Sequence, residues 1–278
     1  MTASYLSSGK SHRDENFPVA SWLIKPPCRA PILAFYRFAR TADDVADHPN
    51  ASADEKLKLL EEMDRTLTGE LDSSPEALAL RYVLDERRLS PQHGLLLLEA
   101  FRRDVTKLRY TDWDDLMNYC RYSAMPVGRF VLDVHGEDRA LWPLSDALCA
   151  ALQVINHLQD CGKDYRNLDR VYLPEDTMRN LGARVEMLSE DKAPEPLRRV
   201  IAVLARRTRE LLDVSRGFAG RIRDRRLALE VNIIQKFAED LDDTLMRRDP
   251  LSERVHHRKR EMVPLALRAF FGHLRGRA

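Results

Sequence analysis

Phe35-Tyr36-Arg37-Phe38-Ala39-Arg40-Thr41-Ala42-Asp43-Asp44-Val45-Ala46-Asp47 is the stretch from which the rest of this chain is read. At about 100° per residue, Tyr36, Arg40, Asp43 and Asp47 fall on one stripe of a helix, and Phe35, Phe38, Ala42 and Val45 fall on another. One stripe packs, and the other carries chemistry. Downstream, Asn156-His157-Leu158-Gln159-Asp160-Cys161-Gly162-Lys163-Asp164 repeats the design. Gln153, Asn156, Asp160 and Asp164 share a stripe, with Val154, Ile155, Leu158 and Cys161 opposite.

An isolated pair of aspartates one turn apart is ordinarily a solvated acidic face. Here each pair has company. Arg40 supplies a guanidinium suited to two-pronged phosphate contact, and Asn156 precedes its own pair by one turn. Magnesium is commonly held by a few carboxylates together with substrate phosphates and retained waters, so two acidic helices suit a magnesium-diphosphate clamp better than an all-protein cage. Diphosphate is a leaving group whose departure metal ions assist, and the other product of that departure is a carbocation. Such a cation calls for a dry pocket with aromatic faces, for which Phe35, Tyr119, Phe130 and Phe237 are candidates, although aromatics at such positions are more often plain core.

The bulk composition narrows the alternatives. The 278 residues are 44% hydrophobic and 32% charged, enough to bury a sizeable core. Lys plus Arg (45) nearly balances Asp plus Glu (44), so nothing in the net charge of +1 argues for nucleic acid as a partner. Cys28, Cys120, Cys149 and Cys161 have neither zinc-ligand spacing nor a disulfide framework, which suits a reducing cytoplasm. Met1 to Glu15 is too polar for a signal peptide, and no apolar run approaches the roughly 18 residues of a membrane span. His12, His48, His93, His135, His157 and His273 follow no zinc motif. His157, beside the second acidic stripe, reads as a packed structural histidine or as a proton handler.

Prolines and capping residues divide the chain into helix-length blocks without alternating strand patterns, so the fold class is all-α in one domain over 1–278. Pro31 is expected to open a helix running to about His48. Ser52 with Glu55 forms a capping box for a second helix ending near Gly69, and Pro75 and Pro91 start two more. A helix over Trp113 to about His135 is expected to kink at Met125-Pro126-Val127-Gly128. Pro143 begins a long block through Asp164, followed by a polar loop, Tyr165 to Arg170. Further helices are expected over about 196–216, 224–247 and 260–274. Arg254-Val255-His256-His257-Arg258-Lys259-Arg260 reads most simply as a solvated basic segment, its other reading being peripheral contact with anionic membrane lipid.

With those residues in view, the chain resembles the squalene and phytoene synthase family, whose two aspartate-rich motifs match Phe38 to Asp47 and Asn156 to Asp164. Glu15-Asn16-Phe17-Pro18-Val19-Ala20-Ser21, Tyr119 to Arg129 and Asp169-Arg170-Val171-Tyr172-Leu173-Pro174 look most like its bacterial hydroxysqualene synthase branch, which serves hopanoid biosynthesis. The resemblance implies an isoprenoid-synthase-type helical bundle around a central cavity, Mg2+ as cofactor and a prenyl diphosphate substrate. It further implies that Asp43, Asp47, Asp160 and Asp164 carry the magnesium, with Asp44 and Asn156 in support. Arg40 and Gln153 contact diphosphate by the same implication, while Tyr36, Tyr119, Arg13, Asn16, Arg170 and Tyr172 are further substrate-binding candidates. Other enzymes of the pathway are implied partners.

The branch implies that presqualene diphosphate ionises, rearranges and is captured by water. No hydride donor is then needed, and no G-x-G-x-x-G fingerprint is present. Asp43-Asp44-Val45-Ala46-Asp47 also fits chain-elongating prenyltransferases, but Asp160 to Asp164 lacks their doubled aspartate. A terpene cyclase is disfavoured because Asn156 is not followed by Ser or Thr and then Glu at ligand spacing. Two rivals stand: condensation of two farnesyl diphosphates, and a non-catalytic assembly protein on the same fold.

Overall fold

A computed structural model describes residues 23–258 and 264–267. Arg13, Asn16, the Glu15–Ser21 segment and most of the helix expected over 260–274 lie outside the described residues. The chain divides into two compact units. Within the described residues the first comprises 23–107 and 122–139, and the second 108–121 together with 140–258 and 264–267. All regular elements among them are helical, and the only extended pairing is a single parallel bridge between Arg109 and Val171.

In the first unit, helix α1 (Pro26–Asp47) packs chiefly on α3 (Pro75–Arg87) and α4 (Gln92–Thr106), and also on α2 (Ala53–Leu67) and α6 (Met125–His135). Helix α1 begins five residues before the expected start, so Pro31 lies inside it. A proline there has no N–H to offer the carbonyl four residues back, and its ring crowds that carbonyl. The freed Pro27 carbonyl instead accepts from Arg87 Nη2 of α3 at 2.5 Å, a tertiary contact that lets the helix pass through its proline. The Ser52–Glu55 capping box forms as expected: Glu55 N–H donates to Ser52 Oγ at 3.3 Å, and Ser52 N–H to Glu55 Oε2 at 2.9 Å.

Phe38, Leu60, Met63, Leu80, Leu97, Leu98 and Phe130 are buried together, each side chain of this size contributing about 1.5–3 kcal/mol. Phe35 and Phe130 stack at 4.0 Å within this core. Gly94 brings α4 close, since a Cβ there would stand 2.8 Å from Leu67 Cδ2 and 3.3 Å from Phe38 Cε1.

The expected kink near Pro126 is a full break. Helix α5 (Trp113–Ser123) ends, Ala124 leaves helical geometry at φ −120°, and α6 restarts with proline in its first turn. Proline at that position needs no N–H partner, so a fresh start is easier than a bent continuation.

In the second unit, α7 (Trp142–Leu168) runs along α9 (Glu195–Ser215) and α11 (Arg225–Leu245). Val154, Ile155, Leu158 and Cys161 are buried, as their stripe requires. Helix α7 outlasts the expected end at Asp164 by one turn. Asp169 stops it in the left-handed region at φ 52°, a conformation aspartate tolerates better than most side chains. The N–H groups of Asp169 and Arg170 then bond back to the carbonyls of Tyr165 and Asp164, at 3.0 and 3.3 Å. Two short helices, α8 (Glu175–Asn180) and α10 (Phe218–Arg221), went unread in the sequence because they are shorter than a hydrophobic period can reveal.

Candidate active site

The first acidic turn is organised by Arg40. Its Nη1 donates to Asp43 Oδ2 at 2.8 Å and its Nη2 to Asp44 Oδ1 at 2.5 Å. Asp44 is buried and Asp43 half-buried, while Tyr36 and Asp47 are half-buried on the same helix. Asp43 keeps 35% of its side-chain surface. Even so, burial of its surroundings and the charge of Asp47 push its carboxyl up to about 7, against the pull of Arg40 and with smaller pushes from Asp104 and Asp44. Asp104 of α4 was not singled out from sequence. It falls on the apolar stripe of its helix with Leu97 and Ala100, and a carboxylate there was the available signal.

Asp43, Asp44, Asp47 and Asp104 therefore interact around a guanidinium that cannot neutralise them all, an imbalance that a divalent cation offsets. An all-oxygen donor set fits magnesium rather than a softer metal. Among the described residues, no three His, Cys, Asp or Glu side chains already cluster so as to hold an ion unaided.

The second acidic turn lies on α7, where Gln153, Asn156, Asp160 and Asp164 are half-buried. Gly162 sits between the two aspartates, and a Cβ there would stand 2.5 Å from Leu251 Cδ2 and 3.0 Å from the Leu188 carbonyl oxygen. The motif's glycine is thus needed for close packing of this turn. Gln153 and His157, one turn apart, bond through their Nε2 atoms at 3.1 Å. With the amide as donor, the imidazole Nε2 is an acceptor and the ring is neutral. Burial, with Arg170 nearby, pushes His157 down to about 3. It is a packed neutral histidine, not a proton handler near neutral pH.

Backbone pairing builds an aromatic wall around that histidine. The Val171 N–H donates to the Leu108 carbonyl at 2.9 Å, and the Glu175 N–H to the Tyr110 carbonyl at 2.9 Å. Arg109 Nη2 bonds Asp169 Oδ1 at 2.6 Å and steadies the turn that ends α7. The exit segment is thereby held with Tyr172 stacked on His157, centroids 3.6 Å apart and planes 15° apart. Tyr110 stacks on Tyr172 at 5.4 Å, and Tyr119 lies 5.5 Å from Tyr172 and 6.0 Å from His157. Tyr119, Arg170 and Tyr172 are thus brought together as a buried group, to which Tyr110 is an addition that no sequence pattern announced. Phe35 and Phe130 belong to the first unit's core, and Phe237 meets His257 edge-on at 5.2 Å.

The basic segment near the end of the chain is only partly solvated. Val255 is buried and His256 and His257 are half-buried, whereas Arg254 and Arg258 are exposed. Lys259 and Arg260 lie outside the described residues. No helix among the described residues is long and apolar enough to cross a membrane.

The model of the squalene/phytoene synthase family matches residues 10–261. A hydroxysqualene synthase from Zymomonas mobilis is 56% identical over 99% of this chain and 93% of its own length. Another from Rhodopseudomonas palustris is 56% identical over 94% of this chain and 90% of its own. Among solved structures, a squalene synthase from Alicyclobacillus acidocaldarius is 32% identical with a TM-score of 0.74, covering 88% of this chain and 92% of that one. A dehydrosqualene synthase solved with a ligand, 23% identical, superposes with a TM-score of 0.79 over 99% of this chain and 96% of that one, a likeness of fold.

Proposed function

This chain belongs to the squalene/phytoene synthase family, is an enzyme with that family's all-α isoprenoid-synthase fold, and on that premise we propose that it converts presqualene diphosphate and water to hydroxysqualene and diphosphate. The observation that carries this reading is the 56% identity to a hydroxysqualene synthase over 99% of the chain. Both units belong to one catalytic domain in this proposal, and the family model's span of 10–261 supports that.

Asp43 and Asp47, supported by Asp44, would hold magnesium on the first acidic turn, and Asp160 and Asp164, supported by Asn156, would do so on the second. Such carboxylates would hold the ion, which when bound would supply positive charge to offset the charge developing on the departing diphosphate. Arg40 adds a guanidinium to the diphosphate oxygens, a role consistent with its place on the Asp43–Asp44 edge. Gln153 and Asn156 supply amide contacts. Arg13, Asn16 and Tyr36 complete the substrate-binding set.

The cyclopropylcarbinyl cation left behind rearranges and is captured by water. Tyr119 and Tyr172, closed around the neutral ring of His157, present aromatic faces that stabilise positive charge and exclude stray water until capture. A protonated His157 would add a second positive charge beside Arg170, and its low pKa keeps the ring itself uncharged.

Purified protein incubated with magnesium and presqualene diphosphate should yield hydroxysqualene by mass spectrometry. Failure to consume presqualene diphosphate would sink the assignment. The structural relative from Alicyclobacillus acidocaldarius carries the name squalene synthase, so farnesyl diphosphate is the second arm, and its consumption with release of presqualene diphosphate, or of squalene when a nicotinamide hydride donor is added, would favour condensation instead. Asp160→Asn should abolish turnover while leaving helicity and melting near wild type, and full activity in that variant would point to the assembly-protein reading.

A further inference from the structure

Segments 108–111 and 171–176 are joined through their main chains. The Val171 N–H donates to the Leu108 carbonyl at 2.9 Å, the Glu175 N–H to the Tyr110 carbonyl at 2.9 Å and the Asp176 N–H to the Thr111 carbonyl at 3.1 Å. Bonds on both sides of Tyr172 thus set its register against Tyr110 without using either side chain. The Tyr110 ring, which keeps 1% of its surface, stands 5.4 Å from Tyr172 with planes 22° apart and 5.3 Å from Tyr119 with planes 58° apart. Tyr119 and Tyr172 are themselves 5.5 Å apart, so the three rings form a nearly equilateral triangle. Two of its corners, Tyr119 and Tyr172, also meet His157. All four rings belong to the second unit. Aromatic pairs at this spacing favour particular offset or tilted geometries, so Tyr110 constrains the planes of both its neighbours.

We propose that Tyr110 is a positioning residue for product specificity, its ring fixing the planes of Tyr119 and Tyr172 so that the cation meets the same aromatic faces until water captures it. The inference rests on the proposed function, which sets those two rings against the cation. Close-packed interiors pass a change of volume on to neighbouring side chains. Removing the Tyr110 ring leaves space into which Tyr119 and Tyr172 turn, or which water enters among their hydroxyls. Water then reaches the cation early, or the cation sheds a proton. Early capture joins a water oxygen to the cyclopropylcarbinyl carbon and releases one proton, giving the unrearranged alcohol, whereas proton loss alone gives an alkene. Tyr110 itself touches no reacting atom. It acts through the two rings.

The test incubates the full chain with magnesium and presqualene diphosphate and reads, by mass spectrometry, the share of by-products beside hydroxysqualene. That share does not depend on how much of the protein is folded, so a merely structural role would not move it. Tyr110→Leu should raise it about 2- to 10-fold, the factor that corresponds to losing one aromatic pair, with KM near wild type. Tyr110→Phe, which keeps the ring, should hold the share near wild type. Tyr110→Met gives the same reading if the Leu variant folds poorly. A wild-type share in the Leu and Met variants would overturn the inference, and so would an equal rise in the Phe and Leu variants, which would assign the effect to the hydroxyl. Tyr172→Leu separates the inference from its premise. A raised share there, with none in Tyr110→Leu, would overturn this inference alone. An unchanged share in Tyr172→Leu would overturn the part given to the aromatic wall in the proposed function, and this inference with it.

Discussion

Arg40 reaches Asp44 at 2.5 Å, one helical turn along, while the other prong of the same guanidinium takes Asp43. The pair joins a residue read as a diphosphate contact to one read as metal support, so a change at Arg40 acts on both. Arg40→Ala withdraws the positive charge from a carboxylate that keeps 5% of its surface, and breaking a buried pair costs about 3–5 kcal/mol. The variant should melt lower and lose turnover. Arg40→Lys, which keeps the charge but loses the fork, should melt closer to wild type and still turn over poorly. Unfolding curves and product assays on the two variants check this.

Asp43 gives the metal-free protein a pH signature. Its carboxyl is raised from 3.8 to about 7, so the folded state holds a proton that the unfolded state releases. Its contribution to stability is therefore full at low pH and declines as pH rises through that interval. A magnesium ion that displaces this proton binds more tightly as pH passes 7. Thermal shifts on adding magnesium should be larger at pH 8 than at pH 6, and equal shifts would remove Asp43 from the ligand set.

His157 has the opposite sign. A base pushed from 6.5 to about 3 stays neutral in the folded protein and takes up a proton on unfolding. Its contribution is intact above pH 6.5 and is lost as pH falls toward 3, by up to about 1.4 kcal/mol per pH unit for one proton. His157→Phe retains a ring to stack on Tyr172 but cannot titrate. Between pH 7 and pH 5 it should lose less unfolding free energy than wild type. Parallel losses in the two proteins would contradict the buried, neutral assignment.

Gly162→Ala tests the packing of the second acidic turn. On propensity alone the change favours a helix by about 1 kcal/mol. The added methyl, however, meets Leu251 at 2.5 Å and the Leu188 backbone carbonyl at 3.0 Å, and overpacking costs about 1–3 kcal/mol. A net loss in denaturant unfolding is expected, with weaker magnesium-diphosphate binding because Asp160 and Asp164 flank the strained position.

Local features were legible wherever their physical cause is local. The Ser52–Glu55 box, the proline starts at Pro75 and Pro143 and the stripe of Val154, Ile155, Leu158 and Cys161 depend on backbone geometry within a few residues. The early start of α1 and its passage through Pro31 depend on Arg87, 60 residues away in sequence. Asp104 was readable as a carboxylate on an apolar stripe, but the group it acts on lies on another helix.

Read alone, the amino-acid sequence determined the all-α class, the two acidic stripes with Arg40 and Asn156 beside them, and the family, because helical period and residue chemistry are properties of short segments. Only the tertiary structure decided that Asp104 of another helix acts on Asp43 and that His157 is a neutral ring stacked on Tyr172. Those outcomes turn on burial and on neighbours from distant parts of the chain, and desolvation and packing take effect only once the chain has folded.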